Sequence, residues 1–262
     1  MNLDISKVKF SKRDIKNKIK IPKKLNKSLA YLIGIHLGDG TMNLYRKYDY
    51  YISYSGHLKD EYVFYTKHLK ELFKNLFNKN LRIYRDLRKN KSSVRLSTQS
   101  KAIFMFLNKI IGIPAGPKTN TSIPKIIENS KYKKEFIKGL ADSDFSLTFK
   151  KGKKGIHCYP VICFYSSNKK LVNETSELLR KIGFKTYTLF NLPHRRYEKI
   201  HTTNLLEVDG EKQLKLWMEK IGFNSRKHLT KYFIWKKFGF CPPFTTLKQR
   251  ERILNKVYLK PL

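Results

Sequence analysis

Hydrophobic positions along this chain change their period in a fixed order, and the order occurs twice. Four stretches alternate apolar and polar side chains and are rich in β-branched and aromatic residues: "YYISYS" (50–55), "SVRLST" (93–98), "YPVICFYSS" (159–167) and "YEKIHTT" (197–203). Alternation at period two predicts strands with one buried face. In the second stretch Val94 and Leu96 point inward while Arg95 and Ser97 point outward. In the fourth, Ile200 is expected to face in, with Lys199 and His201 facing out. Between the strands the spacing turns helical. "ISYSGHLKDEYVFYTKHLKELF" (52–73) matches "ICFYSSNKKLVNETSELLRKIGF" (162–184), each a strand, a polar turn and a helix of about four turns. "AIFMFLNKIIGI" (102–113) matches "KQLKLWMEKIGF" (212–223), each a helix closed by Ile-Gly and an apolar residue. Ile52 and Ile162 are 110 residues apart, as are Gly112 and Gly222. The pattern predicts a helix, two strands, a helix, two strands and a helix, repeated.

Each repeat opens on an unusual helix. Ser28 is placed to cap a helix from Leu29 to about Asp39. Gly34 and Gly38 lie four apart and share one face, and Gly139 and Ser143 repeat the pair. A helical glycine costs about 1 kcal/mol relative to alanine, so paired small residues imply a close backbone neighbour. The two helices are therefore expected to pack on each other, bringing Asp39 and Asp144 together at their C-terminal ends. That placement is unfavourable twice over. A helix C-terminus is already negative, and two nearby carboxylates repel. A divalent cation between or beside them removes both objections, and oxygen ligands with room for water and phosphate suit Mg²⁺.

Composition narrows the partner. The 262 residues hold 56 Lys+Arg against 20 Asp+Glu, a net charge of +36, spread along the whole length. Such a field opposes compactness and points to a polyanion. Its distribution suits a nucleic-acid track better than a local membrane anchor. No stretch approaches the roughly 20 apolar residues of a bilayer span. "MNLDISKVKFSKRDIKNKIK" has no apolar stretch or cleavage site of a secretory signal, so an intracellular protein is expected, cytoplasmic or organellar. Cys158, Cys163 and Cys241 read as reduced core thiols, and Trp217 and Trp235 as core. The predicted organisation is a basic N-terminal extension (1–25), a first half (26–118), a linker (119–130), a second half (131–228) and a C-terminal helical extension (229–262) that includes a Pro-Pro stop.

The motif helices, "LIGIHLGDG" (32–40) and "IKGLADSDF" (137–145), resemble those of the LAGLIDADG homing endonuclease family. The resemblance implies an α+β fold of two pseudo-symmetric αββαββα halves, packed through the motif helices, with saddle-shaped antiparallel sheets facing DNA. It implies a single-chain, monomeric enzyme that hydrolyses both strands of a long duplex with a divalent metal. The metal set would be Asp39 and Asp144 with the adjoining Gly38 and Ser143. "GIPAGPKTNTSIP" (112–124) and "IGFNSRKHLTKYFIWKKFGFCPP" (221–243) resemble the family's lysine-bearing segments and point to Lys118 and Lys227 as catalytic cations. There are departures: Phe145 stands where the family has glycine, His36 and Leu37 replace commoner residues, and the place of a water-ordering polar residue falls on Tyr54 or Ser55 and on Phe164 or Tyr165.

For DNA contact the candidates are Arg46, Lys47, Arg82, Arg85, Arg88, Arg95, Lys150, Lys151, Lys153, Arg195, Arg196 and Lys199, on exposed strand faces and in three basic hairpin loops. Arginine suits guanine and lysine suits phosphate. The alternatives are an RNA-binding maturase acting on its own intron and a non-cleaving DNA-binding protein on the same scaffold.

Overall fold

The computed structural model describes residues 2–88, 92–196 and 199–258, with the side chains of 194–196, 199 and 256–258 outside that description. After a short helix α1 (Lys12–Lys16), the first half runs α2 (Lys27–Asp39), β1 (Gly40–Tyr45), β2 (Asp49–His57), α3 (Leu58–Val63), α4 (Lys70–Phe77), β3 (Arg82–Asp86), β4 (Ser93–Gln99) and α5 (Lys101–Met105). α3 and α4 join through a π-helical turn at Phe64–Leu69, and α5 continues into another at Phe106–Ile110. A short α6 (Lys125–Glu128) lies in the linker. The second half repeats the order as α7 (Lys133–Asp144), β5 (Phe145–Lys151), β6 (His157–Ser166), α8 (Lys169–Ile182), β7 (Tyr187–Arg196), β8 (Lys199–Asp209) and α9 (Glu211–Lys220). α10 (Arg226–Phe238) and α11 (Leu247–Tyr258) close the chain. This is the predicted pair of αββαββα halves.

Each half carries one antiparallel four-stranded sheet, ordered β1-β2-β4-β3 and β5-β6-β8-β7. The positions matched in sequence also match in space. Ile52 and Ile162 are both buried on the second strand of their sheets. Gly112 and Gly222 both follow the last helix of a half with positive φ, +87° and +68°, a conformation that glycine adopts without a steric penalty. The inner sheet faces and the helices share one continuous core that contains Trp217 and Trp235. Cys158, Cys163 and Cys241 are free thiols.

Two local expectations are corrected. The first motif helix is capped by Asn26, whose side chain accepts from Leu29 N at 2.8 Å, so Ser28 lies inside the helix. Ile200 is 75% exposed, because it pairs with Arg195 near the tip of the β7–β8 hairpin, beyond a register shift between Leu189 and Leu192. The C-terminal helices also reach the first half: Leu247 N donates to Asp60 Oδ1 in α3 (2.9 Å). α10 itself spans the 228/229 division.

The N-terminal segment is docked on the first half. Asp14 is buried and accepts from Ser100 Oγ (2.6 Å) and Ala102 N (3.1 Å) at the start of α5. The linker is pinned by Asn168, whose Nδ2 donates to Lys118 O and Thr121 O, both at 2.8 Å.

Candidate active site at the motif-helix seam

α2 and α7 meet with no side chains between them at their closest approach. A Cβ on Gly34 would lie 2.1 Å from Phe136 O, and one on Gly139 would lie 2.0 Å from Tyr31 O. Gly34 and Gly139 are equivalent at the motif offset of 105, as are Tyr31 and Phe136, so these contacts are pseudo-twofold mates. Nearer the helix ends, a Cβ on Gly38 would fall 2.1 Å from Ser143 Oγ and 3.2 Å from the Asp144 carboxyl carbon. The acid of the second helix thus lies against the residue before the acid of the first.

Burial and mutual repulsion raise the pKa of Asp39. Burial raises that of Asp144, where the nearby ammonium groups of Lys118 and Lys227 pull the other way. Asp39 accepts a hydrogen bond from Tyr65, whose hydroxyl oxygen also lies 3.0 Å from Ser55 O. Asp144 accepts none from any described residue. The seam therefore holds two half-buried carboxylates with oxygens left over, a hard-oxygen donor set that fits a divalent cation completed by water and phosphate. Among the described residues no cluster of three or more His, Cys, Asp or Glu competes with it as a metal site.

The two lysines close the helix ends. Lys118 Nζ donates to the carbonyls of His36 (3.0 Å), Leu37 (2.7 Å) and Gly38 (2.6 Å), the last turn of α2. Lys227 Nζ donates to Ser143 O (2.9 Å) on α7 and to Glu61 Oε1 (2.6 Å). A cation at a helix C-terminus is the favourable counterpart of the carboxylates placed there. The Gly38 and Ser143 carbonyls, expected as metal ligands, accept from these ammonium groups. Burial lowers the pKa of Lys118 to about 8.

Three residues at this site escaped the sequence reading. Glu61 is buried, accepts from His57 N (2.6 Å) and binds Lys227 across the two halves. Tyr65 reaches Asp39 because Gly56 leaves space: a Cβ there would lie 2.3 Å from its ring. Asp142 accepts from Tyr31 Oη (2.6 Å) and from the backbone N–H groups of Asn224 and Ser225, which ties the first motif helix to the segment carrying Lys227. Only Asp142, inside the second motif, carried a signal; the partners of the other two come from remote segments.

The motif departures prove to be a compensated exchange of volume. Gly40 leaves a gap filled by the ring of His36, which lies edge-on to Tyr54 at 5.3 Å and shares a 3.0 Å hydrogen bond with its hydroxyl. At the equivalent places the second half has Ala141 and Phe145, and there Phe145 stacks on Phe164 at 4.7 Å. Burial, then Lys118, hold His36 neutral, with its pKa lowered to about 3. Tyr54 and Phe164 therefore belong to the core, while Ser55 and Tyr165 are the exposed members of the two pairs.

The predicted DNA-contact residues separate. Arg82 and Arg95 stand on the outer face of the first sheet, Arg95 lying over the Tyr84 ring at 5.4 Å. Arg46 and Lys47 lie in the exposed β1–β2 turn, Lys151 ends β5 and Lys153 lies in the β5–β6 turn. Arg85 turns to the helix side, because alternation pairs it with Val94, and it packs on Tyr62 at 4.5 Å. Arg88 is tied to Asp86 at 2.5 Å, and Lys150 to Glu207 at 3.1 Å. The side chains of Arg195, Arg196 and Lys199 lie outside the described residues.

Two duplicated α+β halves, joined by small-residue helices that carry one acid each to a common end, define a pseudo-symmetric, single-chain scaffold. Residues 131–230 match the family described as a LAGLIDADG-like domain, and the first half repeats the order of elements found there. Among curated proteins it is 26% identical over 201 residues to the uncharacterized protein MJ0314 of Methanocaldococcus jannaschii, covering 75% of this chain and 69% of that one. Among solved structures, the LAGLIDADG homing endonuclease I-GzeII in complex with its DNA target superposes with a TM-score of 0.50 at 9% identity, over 90% of this chain and 94% of that chain. I-DmoI in complex with DNA and Mn gives a TM-score of 0.49 at 19% identity, over 75% and 98%.

Proposed function

We propose that this protein is an endonuclease that hydrolyses one phosphodiester in each strand of a double-stranded DNA target. The observation that carries the reading is the juxtaposition of Asp39 and Asp144 at the seam, with oxygens to spare. No fold-stability argument favours that placement, and a divalent cation explains it. The match of residues 131–230 to a LAGLIDADG-like domain and the net charge of +36 support DNA as the polyanion.

Asp39 and Asp144 would hold the cation, Mg²⁺ or another divalent ion, which when bound would activate water and stabilise the attacking and leaving oxygens of an in-line displacement. The chain's own groups do the remaining work. Lys118 and Lys227, fixed on the last helical turns, offset negative charge growing on the phosphate. Tyr65 orients the Asp39 carboxyl, and Glu61 holds Lys227 in place. The tight seam keeps the two acids at a set spacing, and with it the separation of the two cuts. Arg82, Arg95, the turn residues Arg46, Lys47 and Lys153, and Lys151 at the end of β5 engage the duplex.

The test is cleavage of a plasmid library carrying random duplex inserts, in Mg²⁺ and in EDTA. The expected result is Mg²⁺-dependent linearisation at a restricted set of sites, abolished in Asp39→Asn and Asp144→Asn although both still bind DNA. Site-selective binding without any cleavage by the unaltered protein would refute the enzyme reading and favour a DNA-binding role.

A further inference from the structure

The outer faces of the two sheets, equivalent by topology, differ in chemistry. In the first, the register lines up Thr41, Ser53, Ser97 and Arg82 across the strands, with Ser55, Arg95 and Tyr84 in the next row. This floor is hydroxylated and offers two guanidinium groups. In the second, the equivalent row is Ser146, Cys163, Glu207 and Tyr187, flanked by Tyr165, Leu205 and Leu189.

The second floor also carries an apolar cluster separate from the main core. Val161, Cys163 and Leu205 are buried in it, and Leu189 and Leu192 pack against them. It lies on the face opposite Ile162, Phe164 and Leu206, which belong to the main core. The buried three form its base. Leu189 and Leu192 are half-buried, and Tyr165 beside them is 54% exposed. Two acids share this floor. Glu207 pairs with Lys150, and Asp209 accepts from Tyr159 Oη at 3.0 Å.

With Glu207 already paired to Lys150 and Asp209 left without a cation among the described residues, this apolar floor suits phosphates less well than the lysine rim does. The rim lysines, Lys151 and Lys153 among them, are exposed and can hold the backbone. What remains for the floor is base edges. In the major groove the apolar feature is the thymine C5 methyl, and the exposed donors are the amino groups of cytosine and adenine. Apolar side chains match the first and carboxylates the second. Arg82 and Arg95 on the other sheet match the paired acceptors of guanine.

We propose that the target is asymmetric in base composition. The half-site under the second sheet is rich in thymine, read by Leu189, Leu192 and Tyr165, and the half-site under the first is rich in guanine, read by Arg82 and Arg95. This rests on the DNA reading above and deepens it.

The experiment is selection of duplexes from a random pool by retention on the full-length protein in Ca²⁺, followed by sequencing and affinity measurement. The expected result is an enriched site with one thymine-rich and one guanine-rich half. Replacing thymine by deoxyuridine in the first of these removes only C5 methyl groups. It should weaken binding about fourfold per contacted methyl, the equivalent of one buried CH₂ at about 0.8 kcal/mol. The same replacement in the guanine-rich half should change little. Tyr165→Ser and Leu189→Thr should each lower the penalty in the thymine-rich half while leaving the guanine preference intact. An enriched site of even composition, or indifference to deoxyuridine, would overturn this inference alone. Enrichment of no duplex would overturn the DNA reading and this inference with it.

Discussion

Gly139→Ala sets two magnitudes against each other. In an isolated helix the change is favourable by about 1 kcal/mol, because alanine is the better helix former. At the α2–α7 seam the new Cβ would lie 2.0 Å from Tyr31 O, 2.9 Å from Tyr31 C and 3.1 Å from Ile35 N. All three are backbone atoms of a packed helix and cannot rotate away. An ordinary carbon–oxygen contact is about 3.3 Å, so the helices must separate by roughly 1 Å. A gap of that size forfeits up to about half of the dispersion energy of the contacts that flank it. Overpacking of this kind costs about 1–3 kcal/mol or more, and a rigid backbone on both sides puts it at the upper end. The net expectation is a loss of about 2 kcal/mol, read as a lower urea midpoint at unchanged slope. Cleavage at a temperature where the variant is folded should fall by about 100-fold, since a displacement near 1 Å also separates Asp39 from Asp144. Gly34→Ala, whose Cβ would meet Phe136 O at 2.1 Å, should behave alike. A Gly139→Ala protein as stable as the parent, or more so, would show that helix propensity governs and that the seam has slack.

Other outcomes follow from the same site. The folded-state pKa of both Asp39 and Asp144 is raised, so the native state binds more protons than the unfolded one above the ordinary aspartate pKa of 3.8. Metal-free stability should therefore fall as pH rises from there toward neutrality. Asp144→Asn should be more stable than the parent at pH 8, the two converging near pH 4 in thermal melts, and a constant difference across pH would contradict this. Lys118→Met should lower single-turnover cleavage by about 100- to 1,000-fold with DNA affinity nearly unchanged; retained activity would remove this lysine from the mechanism. Glu61 neutralises Lys227 but not Lys118, so the two strands should be nicked at unequal rates. The slower strand, identified with Lys227→Met, should gain on the other in Glu61→Gln. A strand ratio indifferent to Glu61→Gln would sink that account, whereas general destabilisation would slow both strands together. DNA affinity should fall steeply with salt, with a log–log slope near the number of phosphates neutralised, and a flat salt response in a filter-binding titration would count against the backbone contacts assigned to the turn lysines.

The duplication, the order of elements and the pairing of Asp39 with Asp144 were legible in the sequence, because each rests on a local rule. Alternation reports strands, small residues at four-residue spacing report a helix contact, and an offset shared by Ile52/Ile162 and Gly112/Gly222 reports a repeat. Lys118 was legible through the resemblance, and the three carbonyls it closes became evident only in space. What the sequence could not supply depends on segments far apart along the chain. Glu61 meets Lys227 across 166 residues, and Leu247 meets Asp60 across 187. The exchange of His36 and Gly40 for Ala141 and Phe145 looks like two unrelated irregularities until the shared volume is seen. Strand alternation told which residues face outward but not what lies beside them, so Arg88 and Lys150 read as free cations although Asp86 and Glu207 hold them. Local pattern sets which face a side chain takes. Only the packing of distant segments decides whether its charge is spent before a partner arrives.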